Sequence, residues 1–522
     1  MSDIRCTILS EEPPIQFAKK ELEKYAKQAV PFSFVLGTGR DFVEGGLLEE
    51  SILQGEEPID AFQLLVKEDK IYIIGSNSRS VLFGVYHACK KLFGYRWVNF
   101  LSIEEIEYKE YRYEEAAIHR GKMKRRGLVV ENYDDITFLF QLIDWAAKHY
   151  INELFFTFML WDKVKHSLAI EIEKRGLSIT IGGHSMHYLV EGAASFAKNQ
   201  IDFSDKSWRT SIITRIKETC KESASITRVS LWPADIGIQN DQHFLAHYIE
   251  FAEQIQKELP DIAVEHIAYN AGLSWEMLEH PADFESSKTV DTLFAYWGRN
   301  YHQAFTEEKR AFAALQKWCQ AAKVNQKQVT VFEYYSDHFM LGDLFPPLFQ
   351  RIHEDIEMYS GMGIKQIVNL IVPYIPKDNP FKMDRQYPWE AIQLLNSYYF
   401  ARLTWGDAFD EIEKDFYSAF GEHQPEVIGA LKKMEVLLSG VSKWNVPLFP
   451  SRLIDPEKVE NFDDVQTVIR DIVKLKQEIE PLRVNAAGDM NNLYSMMTFY
   501  IDYVCVKADE YLQKWKIQLK RI

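Results

Sequence analysis

Between residues 123 and 375 the chain offers eight short apolar runs, rich in β-branched and aromatic residues, separated by stretches of helical periodicity. The runs are Arg126–Glu131, Glu153–Phe158, Leu177–His184, Thr227–Trp232, Ile262–Tyr269, Thr292–Trp297, Val329–Tyr335 and Gln366–Val372. Strands joined by helices run parallel, and eight of them in about 250 residues is the number that closes a TIM-type (β/α)8 barrel. An open doubly wound sheet is the competing topology. It would need a glycine-rich phosphate loop after its first strand, and Glu131-Asn-Tyr-Asp-Asp135 contains no glycine.

The flanks read differently. Residues 1–118 form an N-terminal α/β domain, with a helix over Pro14–Ala26 that places Phe17, Leu22 and Tyr25 near one face. Strands Phe62–Val66 and Ile71–Ile74 follow, then the turn Gly75–Arg79 and a second helix, Val81–Leu92. That turn matches neither a Walker loop nor GxGxxG, so phosphate binding there is the weaker reading. The barrel is assigned to 119–380. Residues 381–522 carry amphipathic helical stretches and read as a C-terminal helical domain packed on it.

Composition removes several function classes. A formal charge of −16 argues against nucleic acid, since phosphate binding needs basic stripes, and Arg120–Arg126 reads as a domain junction. Cys6, Cys89, Cys220, Cys319 and Cys505 are scattered and odd in number, as free thiols in a reducing compartment would be. With no leader-like N-terminus and no apolar run of membrane-spanning length, a cytoplasmic protein without a membrane partner is expected.

Active sites of such barrels lie at the C-terminal strand ends, and these ends are rich in polar and aromatic residues. The candidate catalytic carboxylates are Asp235, Glu333 and Glu131. The candidate substrate-binding residues are His184, His187, Trp232, Tyr269, Asn270, Tyr296, Trp297, Arg299, Tyr334 and Tyr335. Carboxylates beside rings suit a glycosidic bond, which needs one acid at the leaving oxygen and a second group at the anomeric carbon. Each has a structural alternative. Asp235 could cap a helix, Glu333 could pair with Arg299, and Glu131 could merely orient a substrate. His184 and His187 lack a third partner at metal-ligand spacing, so neither metal nor organic cofactor is expected. Arg299 either clamps a substrate carboxylate or holds Glu333.

The segments Phe62–Val66, Ile71–Gly75, Arg79–Tyr86 and Gly94–Trp97 resemble the α/β domain preceding the barrel in bacterial α-glucuronidases and β-N-acetylhexosaminidases. Gly183-His-Ser185, Pro233-Ala-Asp-Ile-Gly237, Arg299 and Glu333-Tyr-Tyr335 follow in an order similar to that of a largely uncharacterised bacterial glycoside-hydrolase-like family, a domain of unknown function. So do Ala401-Arg-Leu-Thr-Trp-Gly406 and Asp415-Phe-Tyr-Ser-Ala-Phe-Gly421. The resemblance implies a glycosidase acting on imported oligosaccharides or glycosides, in the manner of a β-N-acetylhexosaminidase. Asp235 would then be the general acid, Glu333 the orienting group, base or nucleophile, and Glu131 a reserve, with the first two roles exchangeable. Three features depart from the relatives: many of them are secreted whereas no leader is read here, Ile238-Gln-Asn-Asp-Gln242 stands where some carry a cysteine cluster, and the adjacent Asp-Glu pair of β-hexosaminidases is missing after the fourth strand. The alternatives are an α-glucuronidase-like exo-hydrolase and a non-catalytic carbohydrate-binding protein. Oligomeric state stays open, a homo-oligomer included.

Overall fold

The computed structural model describes residues 5–26, 32–51, 53, 55, 59–97, 106–107, 117–131, 133–190, 201–234, 243–270, 275–281, 285–337, 345–372, 390–418 and 424–439, with scattered positions from 467 to 513. The first unit is a five-stranded sheet of order β1-β2-β4-β3-β7: β1 (Cys6–Ile8), β2 (Ser33–Thr38), β3 (Ala61–Lys67), β4 (Lys70–Gly75) and β7 (Ile118–Arg120). β5 (Tyr95–Arg96) and β6 (Ile106–Glu107) pair separately. Helices α1 (Pro13–Tyr25), α2 (Gly39–Glu44) and α3 (Ser78–Phe93) belong to this unit. The sequence showed α1, α3, β3 and β4. It did not show β1, β2 or β7, because β1 and β7 are three residues long and β2 carries a glycine, leaving too little pattern to read. The Gly75–Arg79 turn starts α3: the Asn77 side chain caps it by accepting from the Ser80 amide. Arg79 is held by Asp60 at 2.8 Å.

The second unit is a closed, eight-stranded parallel barrel, so the fold is (β/α)8. Its strands are β8 (Arg125–Val130), β9 (Glu153–Thr157), β10 (Ser178–Gly183), β11 (Ile226–Leu231), β12 (Ala263–Tyr269), β13 (Asp291–Ala295), β14 (Val329–Asp337) and β15 (Gln366–Val372), with β15 closing on β8. Around it lie α4 (Ile136–Lys148), α5 (Phe158–Glu173), α6 (Met186–Val190), α7 (Arg209–Cys220), α8 (Phe244–Glu258), α9 (Lys309–Val324) and α10 (Phe349–Gly361). Among the described residues no helix separates β12 from β13. Beyond the barrel come α11 (Glu390–Trp405), α12 (Phe409–Tyr417) and α13 (Gln424–Ser439).

The N-terminal end of the lumen is plugged by charge. The Arg125 guanidinium reaches Glu153 at 2.7 Å and Glu265 at 2.7 Å, and donates to Thr330 at 3.0 Å and Thr180 at 3.2 Å. Arg228 adds Asp291 at 3.0 Å. Buried ions of this kind are retained only when each is paired and hydrogen-bonded, as these are.

All three parts of the chain meet at that same end of the barrel. Asp60 from the first unit accepts from Arg126 at 2.6 Å, Asn152 at 2.7 Å and Arg79 at 2.8 Å. The Arg79 and Arg126 guanidinium groups, with the Asn152 hydrogen bond, hold its carboxyl well below the usual range against the opposing effect of burial. Trp405, at the end of α11, stacks on Phe62 with 9° between the rings and lies 5.1 Å from the Arg126 guanidinium.

Candidate functional site

Strand alternation decides which side chains reach the lumen. On β14, Thr330 meets Arg125 and Glu265 across the barrel, so Thr330, Phe332 and Tyr334 face inward. Val331, Glu333 and Tyr335 therefore face the helices. A bulge then interrupts the strand. Glu333 pairs with Asn369 and Ser336 with Ile371, so Tyr334 and Tyr335 together oppose Leu370. Alternation flips there, and Asp337 aligns with Val372 on the inner face. Val368, four residues earlier on β15, marks that face: a Cβ on Gly127 would lie 2.7 Å from Val368 Cγ1 and 3.4 Å from the inward Glu153.

A second carboxylate comes from the end of β8. Glu131 is six residues beyond the inward Arg125, hence on the same face. A Cβ on Gly183 would lie 2.9 Å from Thr157 Cγ2 and 3.9 Å from Glu131 Oε1, so both line the mouth beside the end of β10. The two glycines there have distinct tasks. A Cβ on Gly182 would fall 1.7 Å from the Ser230 carbonyl oxygen, and Gly183 adopts a left-handed φ of +65°.

Rings form the remaining wall. Ring centroids of Trp232 lie 5.1 Å from His184 and 5.6 Å from Phe332, those of His184 and Tyr269 are 5.9 Å apart, and those of Trp297 and Tyr334 are 5.2 Å apart. Nδ1 of His184 donates to the Pro233 carbonyl at 2.6 Å, since a carbonyl can only accept. Trp232 Nε1 donates to Ser230 at 2.9 Å. The Tyr334 hydroxyl titrates well above the ordinary tyrosine range, first through burial and then through Tyr269, Asp337, Tyr301 and Glu131. It therefore stays protonated and can donate.

Several expected residues lie elsewhere. Glu333 points into the layer between β14 and α10, where Arg299 reaches it at 3.0 Å, Tyr301 donates at 2.6 Å and Tyr359 also donates. Arg299 is simultaneously bidentate to Asp355 at 2.7 and 2.8 Å. The same Asp355 accepts from Tyr335 at 3.0 Å. These are buried structural ions, so the expectation of a catalytic Glu333 and a substrate-reading Arg299 or Tyr335 is corrected by orientation alone. Burial pushes the Glu333 carboxyl up, against the pull of Arg299. Tyr296 also turns outward, packing on Phe305 and Trp275. Asn270 exchanges two 2.6 Å hydrogen bonds with the Trp297 backbone and ties β12 to the end of β13. His187 is exposed on α6. Asp235 lies outside the described residues.

Asp337 stands among the polar residues at the end of the seventh run but was not singled out there, and Thr157 drew no attention. Counting by twos from Thr330 would have rejected Glu333, but nothing in Glu-Tyr-Tyr-Ser-Asp announces a bulge. Among the described residues no group of three or more His, Cys, Asp or Glu could hold a metal ion. No described helix is long and apolar enough to cross a membrane.

Residues 214–425, from within α7 into α13, match the family model DUF4838, a domain of unknown function. Among solved structures it is similar to a family GH115 4-O-methyl-α-glucuronidase with specificity for decorated arabinogalactans, at TM-score 0.66 and 12% identity over 98% of this chain and 72% of the other. A GH138 enzyme targeting pectin rhamnogalacturonan II superposes with TM-score 0.64 and 12% identity over 99% and 71%. A family 89 glycoside hydrolase from Clostridium perfringens gives 0.55 and 10% over 93% and 60%. At such identities the likeness concerns the fold. No curated protein matches the chain in sequence.

Proposed function

We propose that this DUF4838-containing protein is a glycoside hydrolase whose site is the barrel mouth, with Glu131 and Asp337 as working carboxylates. The observation that carries the reading is their placement, on the ends of β8 and β14, facing one ring-lined opening. One carboxyl group protonates the departing oxygen, and the other stabilises the developing positive charge at the anomeric carbon, as base or nucleophile. Trp232, Tyr269 and Trp297 offer faces for a pyranose, and the Tyr334 hydroxyl and His184 offer polar contacts. Asp235, four residues beyond Leu231 in the sequence, is kept as a third candidate.

The substrate is an oligosaccharide or simple glycoside, of the N-acetylhexosaminide type, taken up into the cytoplasm. What favours it over a uronide is Arg299: its guanidinium is spent on Glu333 and Asp355 rather than offered to a substrate carboxylate. The described cysteines Cys6, Cys220 and Cys319 are free, which suits a reducing compartment.

The test is hydrolysis of fluorogenic N-acetylglucosaminide, N-acetylgalactosaminide, glucoside and glucuronide by the parent, Glu131→Gln and Asp337→Asn. Turnover of one substrate by the parent, lost in both folded variants, supports the reading. Turnover that survives both changes removes the assigned site. Sugar binding by calorimetry without turnover would make the protein a carbohydrate-binding barrel.

A further inference from the structure

The bulge that turns Asp337 inward is held by side chains rather than by neighbouring strands. A bulge leaves backbone groups without ladder partners, and buried ones must find others. The Tyr334 amide donates to the Tyr301 hydroxyl at 3.1 Å, and the Tyr335 amide to Asn369 Oδ1 at 2.9 Å. The Tyr335 carbonyl accepts from Asn396 Nδ2 at 2.8 Å, and the Ser336 carbonyl from Gln393 Nε2 at 2.9 Å. The Ser336 hydroxyl lies 2.9 Å from that of Ser397 and accepts from Asn369 Nδ2 at 3.0 Å.

Three of these partners, Gln393, Asn396 and Ser397, come from α11. They stand at i, i+3 and i+4, one face of a helix whose other buried positions are largely apolar: Ile392, Leu394, Leu395, Tyr398, Tyr399, Phe400 and Leu403. All three are fully buried. Asn396 reaches further, donating to the Pro346 carbonyl at 3.1 Å and accepting the Leu348 amide at 2.9 Å. It thereby couples the bulge to the N-terminus of α10.

We infer that Gln393, Asn396 and Ser397 are positioning residues: α11, outside the barrel, sets the aim of Asp337 by bracing the backbone immediately before it. The inference rests on the reading of Asp337 as a working carboxylate. A polar face satisfying buried groups for stability alone would weaken the protein when altered, without moving a carboxylate on the opposite side of the strand.

The experiment compares Gln393→Leu, Asn396→Leu and Ser397→Ala with Ile412→Ala, which opens a cavity in the buried side of α12 away from the bulge. On a substrate the parent cleaves, kcat in the α11 variants falls by on the order of 10- to 100-fold with KM little changed, because displacement by about 1 Å suffices for such a loss. The pH profile of kcat shifts with it, whereas Ile412→Ala loses stability and keeps both kcat and profile. A crystal structure of Gln393→Leu shows Asp337 displaced. Parent-like kcat and pH profile in the folded α11 variants, or Asp337 in its original place in that crystal structure, overturns the inference. Should Asn396→Leu fail to fold, the other two variants decide. If the parent cleaves no glycoside, the proposed function falls by itself, and the position of Asp337 still decides whether the brace exists.

Discussion

Glu333 and Asp337 sit four residues apart on one strand yet face opposite sides of the barrel wall, because Tyr334 and Tyr335 share a single partner on β15. Without the bulge, odd-numbered residues would all face the helices. Glu333 lies with Arg299 and Asp355 in a buried ion cluster, and Asp337 turns to the lumen.

Glu333→Gln is therefore expected to act on stability. Removing one partner of a buried ion cluster costs about 3 kcal/mol, at the low end of the usual range because Arg299 keeps Asp355. Urea unfolding measures the loss, and turnover per folded molecule should stay near that of the parent. A folded Glu333→Gln of parental stability and no activity would restore Glu333 to the site.

Arg299→Met makes the complementary case. It leaves Glu333 and Asp355 buried without their cation, and the Glu333 carboxyl, already pushed up by burial, loses the pull of Arg299 and rises further above its unfolded value. Stability from such groups is present at low pH and is lost as pH rises through the folded pKa. The deficit against the parent should thus be larger at pH 8 than at pH 5, reaching on the order of 3 to 5 kcal/mol. Arg299→Lys should not rescue it, since a point charge cannot span Glu333 and both Asp355 oxygens.

His266 governs part of the acid limit. It is buried, 3.0 Å from the Thr292 hydroxyl, and burial lowers its pKa from 6.5 to about 4. A depressed histidine contributes stability above the unfolded pKa, which is lost as pH falls from 6.5 to about 4. The shift is worth on the order of 3 kcal/mol. Thermal unfolding of the parent between pH 7 and 4 should steepen accordingly, and His266→Gln should flatten that part of the curve.

Gly182→Ala should be among the most damaging single-methyl changes in the chain. Its Cβ would meet the Ser230 carbonyl carbon at 2.2 Å, and backbone cannot move aside as a side chain can. A loss of about 4 kcal/mol or more is expected, read as failure to fold or a large drop in Tm.

How much of this was legible follows from what each pattern encodes. The eight barrel strands could be read because fully buried parallel strands are continuous apolar runs, as in Val129-Val130 or Phe155-Phe156. Strand ends pointed to the mouth, and Glu131, His184, Trp232, Tyr269, Trp297 and Tyr334 stand at or near the ends of β8, β10, β11, β12, β13 and β14. The facing of Arg299, Glu333, Tyr296 and Tyr335 was not legible, because a strand buried on both sides carries apolar and polar residues on either face. Asp337 was hidden by the bulge, a property of pairing between β14 and β15 rather than of either segment. Gln393, Asn396 and Ser397 looked like ordinary polar positions of an amphipathic helix until α11 proved to be buried.

The junction around Asp60 and Trp405 gathers the beginnings of β8, β9 and β10, the first sheet and α11 at one end of the barrel, opposite the mouth. Cohesion among the three parts thus draws on contacts that no loop at the mouth supplies. Such loops can lengthen, shorten or change chemistry over generations without loosening the assembly, so relatives with this architecture are free to diverge in what the mouth holds while inheriting one common frame.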